Sequence, residues 1–205
     1  HKVEESAAAH ALIRASGFTS TGIDLIYGIP GQTMAAWRAT LEQAVSFQPE
    51  HISCYQLTVA EGTAFWERQE EGLMRLPEEE ESENLFLTTS RFLEENGYLH
   101  YEISNFARGE ENRSRHNQKY WQHVPYLGLG PSAHSFQDGK RWWNVRSIKK
   151  YCASLEEGRA PVGGAEVLSA EQFALESLYL GLRTRDGIDL ARVRSSHSTD
   201  TVLPQ

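Results

Sequence analysis

The residues from Arg115 to Ser135 concentrate the side chains of this chain that could act on a flat or metal-bearing ligand. Three of the eight histidines, His116, His123 and His134, fall within this stretch. They are interleaved with Tyr120, Trp121 and Tyr126, and a Gly128-Leu-Gly-Pro131 turn precedes the last of them. Neutral imidazole ligates transition metals and heme iron. Tyr and Trp each pair an apolar face with a polar tip. His116 and His123 are seven positions apart, which two helical turns would place on one face. His123 stands just before Val124-Pro125, however, where a helix is ending. A lone histidine is ordinarily structural or superficial, so the reading rests on the cluster and centres on His116, with His123 expected at the surface.

Other reactive types are sparser. Asp24 lies inside an apolar run, where a carboxylate needs a partner or a ligand. Glu102 could face the same site as Asp24, as an acid–base pair would require. Gly28-Ile-Pro-Gly31 has glycines ahead of a helix, yet lacks the spacing of a dinucleotide fingerprint and the Gly-Lys-Ser/Thr ending of a P-loop, so a plain tight turn is the better reading. No Gly-x-Ser-x-Gly elbow or Ser-His-Asp order is present, so hydrolase chemistry has no support. Glu78–Glu81 and Glu110–Glu111 read as solvated charge. The two cysteines, Cys54 and Cys152, form no Cys-x-x-Cys pair and offer no cysteine-based metal site of their own. They read as two reduced thiols.

The elements that must position these residues alternate. A helix is expected over 4–16, ending at Gly17. A short buried strand follows over 21–27, then a helix over 34–47 with Trp37, Leu41, Ala44 and Val45 on one stripe. A second strand is expected over 51–59, and a loop through Trp66 and Gly72. The acidic run after Pro77 favours a helix start, and that helix runs to Asn96-Gly97. A third strand is expected over 98–106. Such alternation signals βα units and a parallel sheet, whose ligands lie at the carboxyl ends of the strands. Beyond Phe136 the expectation is a turn and short edge element, a helix over 148–157, a linker over 158–164, a helix with a Ser169/Gln172 capping box, a small helical unit from Arg183 to Ala191, and fraying after Arg194.

Apolar residues make up 40% of the 205, enough for a packed core, and the net charge of −8 opposes non-specific binding to nucleic acid or anionic membrane. No apolar run approaches the roughly 20 residues that span a bilayer, and no signal peptide is evident. The chain opens at His1 in what reads as the body of a helix, so it is expected to be part of a longer protein.

Five motifs in order carry a resemblance: Ile23-Asp-Leu-Ile-Tyr-Gly-Ile-Pro-Gly-Gln-Thr33, Glu50-His-Ile-Ser53, Tyr101-Glu-Ile-Ser-Asn-Phe-Ala107, His116-Asn-Gln-Lys-Tyr-Trp121 and Tyr126-Leu-Gly-Leu-Gly-Pro-Ser-Ala-His-Ser135. Together they resemble the radical S-adenosylmethionine family of oxygen-independent coproporphyrinogen III oxidases, and within it the HemW-type heme chaperones. The resemblance runs from the first helix to about Ala191. It implies an α/β fold: the C-terminal half of a partial (β/α)6 barrel over 1–137, a connecting segment over 138–165, and the start of a small, mainly helical, winged-helix-like domain over 166–205. It implies three cofactors, S-adenosylmethionine, a [4Fe-4S] cluster whose Cys-x-x-x-Cys-x-x-Cys loop is absent here, and heme. Asp24 matches the aspartate at a strand end that meets S-adenosylmethionine. Thr58 and His134 match positions lining a second S-adenosylmethionine in the oxidases, with different residue types. His116, Asn117, Tyr120 and Trp121 match the element associated with heme in the chaperones, with His116 as the iron ligand.

The function so implied is to bind heme and deliver it to acceptor proteins in the cytoplasm, with no nucleic-acid partner and at most peripheral membrane association. Two alternatives stand beside it: oxidative decarboxylation of coproporphyrinogen III, and a non-catalytic βα-barrel binding fragment. With the cluster cysteines missing, no catalytic residue is assigned, and the chain alone is expected to be inactive in radical chemistry.

Overall fold

The computed structural model describes residues 3–189, which divide between Ser114 and Arg115 into two compact units. In the first, α1 (Val3–Ala15) ends at Gly17, whose φ of 87° is the left-handed conformation that glycine adopts without strain. Strands β1 (Gly22–Tyr27) and β2 (His51–Gln56) pair in parallel across α2 (Met34–Ser46). Thr33 caps α2, its hydroxyl accepting the Ala36 N–H. The expected stripe is the buried one: Trp37, Leu41 and Ala44 are buried and Val45 packs on the core. Two strand starts are tied together by Glu50. Its carboxylate accepts the Thr21 N–H at 2.8 Å and Arg14 at 2.8 Å, and Arg14 also donates to Gln48 O at 2.9 Å.

The loop expected through Trp66 and Gly72 instead contains a short helix, α3 (Ala64–Glu70), started by the Thr63 hydroxyl accepting Trp66 N–H. Then α4 (Glu79–Glu95) opens on a capping box between Glu78 and Glu81. The core between α2, α4 and the sheet holds Trp37, Leu41, Ile52, Cys54, Leu85, Leu93, Tyr98 and Phe106. The Trp37 indole N–H donates to Thr89 Oγ1 at 2.8 Å, so the buried ring leaves no polar atom unpaired.

The third strand differs from expectation. It splits into β3 (Leu99–Glu102) and β4 (Asn105–Ala107), and β4 runs antiparallel to β2, giving the order β1-β2-β4-β3. The cause is local: the Glu102 carboxylate accepts the Ser104 N–H and the Asn105 side-chain N–H, closing a turn inside what reads as one strand. The sheet is therefore mixed. Asp24, expected within a buried strand, is exposed, and it is the third residue of β1.

The second unit begins with α5 (Arg115–Trp121), followed by an antiparallel sheet of β5 (His134–Gln137), β6 (Lys140–Asn144) and β7 (Val162–Val167), with α6 (Ile148–Glu156) between the last two and α7 (Ala170–Leu182) after them. The Ser169/Gln172 capping box forms as expected. The stretch expected as a linker instead supplies β7. A Cβ on Gly164 would lie 2.5 Å from the Trp143 ring, so glycine there admits the indole of the neighbouring strand. Residues 183–189 form turns in place of the expected helical unit, and 190–205, including the segment expected to fray, lie outside the described residues. Among the described residues, no helix is long and apolar enough to cross a membrane.

Candidate functional site

In the second unit the site is built on α5. The i, i+4 spacing stacks His116 with Tyr120 on one face and Asn117 with Trp121 on the next. The His116 and Tyr120 rings meet edge to face, 4.9 Å between centroids at 82°. His116 is exposed and Tyr120 is 38% exposed, so both side chains reach solvent. Tyr120 in turn meets Tyr126 edge to face at 4.6 Å and 74°. Tyr126 is fixed by reciprocal backbone hydrogen bonds with Phe136, both 2.9 Å. Burial raises the Tyr126 hydroxyl pKa, with the Arg141 guanidinium acting against it.

The Gly-Leu-Gly-Pro turn is held from three sides. Gly128 N–H donates to Ser135 Oγ, Gly130 N–H to the Tyr151 hydroxyl, and the Asn144 amide donates to both glycine carbonyls. A Cβ on Gly128 would stand 2.1 Å from His134 O, which only glycine avoids. The turn leaves Leu127 70% and Leu129 80% exposed, an apolar pair displayed to solvent.

His123, expected at the surface, is not there: its side chain is only 11% exposed. The backbone turns left-handed at this residue (φ 52°) and folds the ring between Phe136 and Phe173, with Nε2 3.9 Å from Glu176. Burial lowers its pKa, against the nearby Glu176 carboxylate. It is a partly buried histidine packed between two phenylalanine rings. His134 is exposed on β5 and tilts against Trp143 at 5.7 Å.

In the first unit, the strand register sets four polar residues in one row across the sheet: Asp24 pairs with Ser53, Ser53 with Asn105, and Asn105 with Glu102. Strands are about 4.8 Å apart, so three intervals separate Asp24 from Glu102, too far for direct acid–base pairing. Ser53, Asn105 and Glu102 are 2–3% exposed while Asp24 is open. Beside the row, His51 Nε2 lies 2.7 Å from the Tyr101 hydroxyl, which accepts the Ser114 N–H. Burial lowers the His51 pKa, with the Asp24 and Glu102 charges opposing. Thr58 is exposed two residues beyond β2. The Gly28–Thr33 turn is closed on itself: Gly28 N–H donates to Gln32 Oε1 and Gln32 N–H to Ile29 O, leaving neither amide for a phosphate.

Ser53 and Asn105 were not among the residues singled out by sequence. Their signal was the polar residue recurring mid-strand among apolar ones. Arg141, bonded to Glu166 at 3.1 Å and Glu176 at 2.6 Å, had no sequence signal, because its partners lie 25 and 35 positions away.

No protein-family model matches the chain. Among curated proteins it is 36% identical over 203 residues to the heme chaperone HemW of Synechocystis, covering 98% of this chain and 49% of that protein. It is 31% identical to HemW of Bacillus subtilis, covering 100% of this chain and 54% of that one. In fold it is similar to the coproporphyrinogen III oxidase of Escherichia coli, a radical SAM enzyme, with a TM-score of 0.75 and 21% identity, covering 95% of this chain and 47% of that one. The chain resembles the radical S-adenosylmethionine family, in sequence through the HemW heme chaperones and in fold through that oxidase. It spans about half the length of the curated relatives it matches.

That family implies a [4Fe-4S] cluster, and the thiols present do not fit one. There are two, one in each unit: Cys54 is buried, with burial pushing its pKa up to about 12 and the Asp24 charge adding to the rise, and Cys152 is exposed. A cluster needs several convergent thiolates. S-adenosylmethionine is a different case, since the open Asp24 carboxylate can accept hydrogen bonds from a ribose or an amino group.

Proposed function

We propose that this chain is the heme-binding part of a HemW-like heme chaperone, which binds heme and delivers it to acceptor proteins. The observation that carries the reading is the exposed His116 imidazole set edge-on against Tyr120, with Asn117 and Trp121 on the adjoining helix face. In this reading His116 supplies the axial nitrogen, and Tyr120 and Trp121 offer flat faces to the macrocycle. Asn117 hydrogen-bonds its polar edge. Bound heme supplies the iron that accepts the imidazole nitrogen; everything else at the site is shape and hydrogen bonding by this chain. Asp24 of the first unit accepts hydrogen bonds from S-adenosylmethionine.

Hemin titration of wild type and His116→Ala, followed by the Soret band, tests this. Loss of the histidine-type band in the variant supports the assignment, and identical titrations refute it. A second reading, oxidative decarboxylation of coproporphyrinogen III, draws on the fold likeness to the Escherichia coli oxidase. Turnover of that porphyrinogen by a longer form carrying a cluster loop would favour it over the chaperone reading.

A further inference from the structure

We infer that Tyr126 is a positioning residue for the His116–Tyr120 pair, holding the Tyr120 ring so that His116 presents its nitrogen to a planar iron porphyrin; this rests on the heme reading above. With only seven residues, α5 is too short to be stable alone, so its side chains take their settings from what packs on them. Tyr120 has two ring contacts, His116 within its own helix and Tyr126 from outside it. Tyr126 is the better anchored of the three. Its backbone N–H and C=O both bond to Phe136 at the edge of the second sheet, and its ring stacks on the buried Phe136 ring at 6.3 Å and 28°.

The anchoring therefore runs from Phe136 on β5 through Tyr126 to Tyr120 and then to His116. The two ring contacts beyond Tyr126 are edge to face, an arrangement that aromatic pairs favour. Tyr126 lies outside the His116–Trp121 element and acts on the ligand only through it.

The test uses the full 205-residue chain. In the absence of hemin, NMR of the His116 imidazole reports the ring current of Tyr120; Tyr126→Ala should move that resonance and Tyr126→Phe, which keeps the ring, should leave it near its wild-type position. With hemin, Tyr126→Ala should weaken binding roughly two- to tenfold, the range such ring pairs cover, while Tyr126→Phe binds within twofold of wild type. In a His116→Ala background, Tyr126→Ala should add nothing. Tyr126→Leu serves in place of alanine if circular dichroism shows that the alanine variant does not fold. An unmoved His116 resonance, or a Tyr126→Ala loss that persists without His116, overturns the inference. Because the NMR arm needs no hemin, it stands apart from a failure of wild type to bind hemin, which would refute the heme reading instead.

Discussion

Thr89→Val tests whether the first unit's core is built as described. Trp37 is fully buried and Thr89 is 2% exposed, and the only donor on the indole is spent on Thr89 Oγ1 at 2.8 Å. Valine matches threonine in shape but accepts nothing, so the indole N–H would be left buried without a partner. That costs about 1–3 kcal/mol. The Thr89 hydroxyl also donates to Leu85 O, a bond lost along with it but independent of Trp37. A double-mutant cycle separates the two. Trp37→Phe removes the donor, so Thr89→Val in that background should cost about 1 kcal/mol less than in wild type. Urea unfolding followed by far-UV circular dichroism supplies all four free energies, and thermal midpoints should fall by roughly 2–4 °C per kcal/mol for a chain of this size. Additive costs, with no coupling between the two substitutions, would refute the buried hydrogen bond and the packing argued from it.

Glu50 predicts a pH dependence. Burial alone would raise its pKa, but hydrogen bonds from Arg14 and from the Thr21 N–H outweigh that and hold it below the ordinary carboxylate value. A carboxylate depressed in the folded state stabilises it above the unfolded pKa and loses that contribution as pH falls through the folded one. Stability should therefore decline below about pH 4, and less steeply in Glu50→Gln; parallel acid titrations of the two would refute this. For the thiols, iodoacetamide at pH 8 should modify the exposed Cys152 and leave Cys54, whose pKa is pushed up to about 12, untouched until urea unfolds the chain. Mass spectrometry that finds Cys54 modified first would contradict the burial. Gly128→Ala should disorder the Gly128–Ser135 turn, because the added Cβ meets His134 O at 2.1 Å. The expected result is a loss of about 2 kcal/mol or more, read by urea unfolding, and a wild-type midpoint would show that the backbone yields freely.

Much of the α/β frame was legible because its signals are local. The Trp37, Leu41 and Ala44 stripe repeats at helical spacing, and the Ser169 cap sits one residue before its helix. Where the expectation failed, a contact overrode the local pattern. Tyr98 to Phe106 reads as a single strand because nothing in its strand-forming residues announces that the Glu102 carboxylate will turn back onto Ser104 and Asn105. Glycines over 158–164 read as a linker, yet Gly164 is glycine because the Trp143 ring occupies its Cβ position. His123 is left at the surface once the site centres on His116, whereas a left-handed backbone at that residue accompanies a ring packed between Phe136 and Phe173. At the candidate site, the pairing of His116 with Tyr120 followed from i, i+4 spacing. The contribution of Tyr126 did not, since it depends on the bridge to Phe136.

Chemical rescue of His116 is the most direct measurement. In His116→Gly, a hemin complex should lack the histidine-type Soret spectrum, and free imidazole should restore it by filling the space the side chain left. Wild type should be unaffected by the same addition at concentrations that saturate the variant. If hemin gives the same spectrum with wild type and His116→Gly before imidazole is added, His116 is not the iron ligand and the central claim falls.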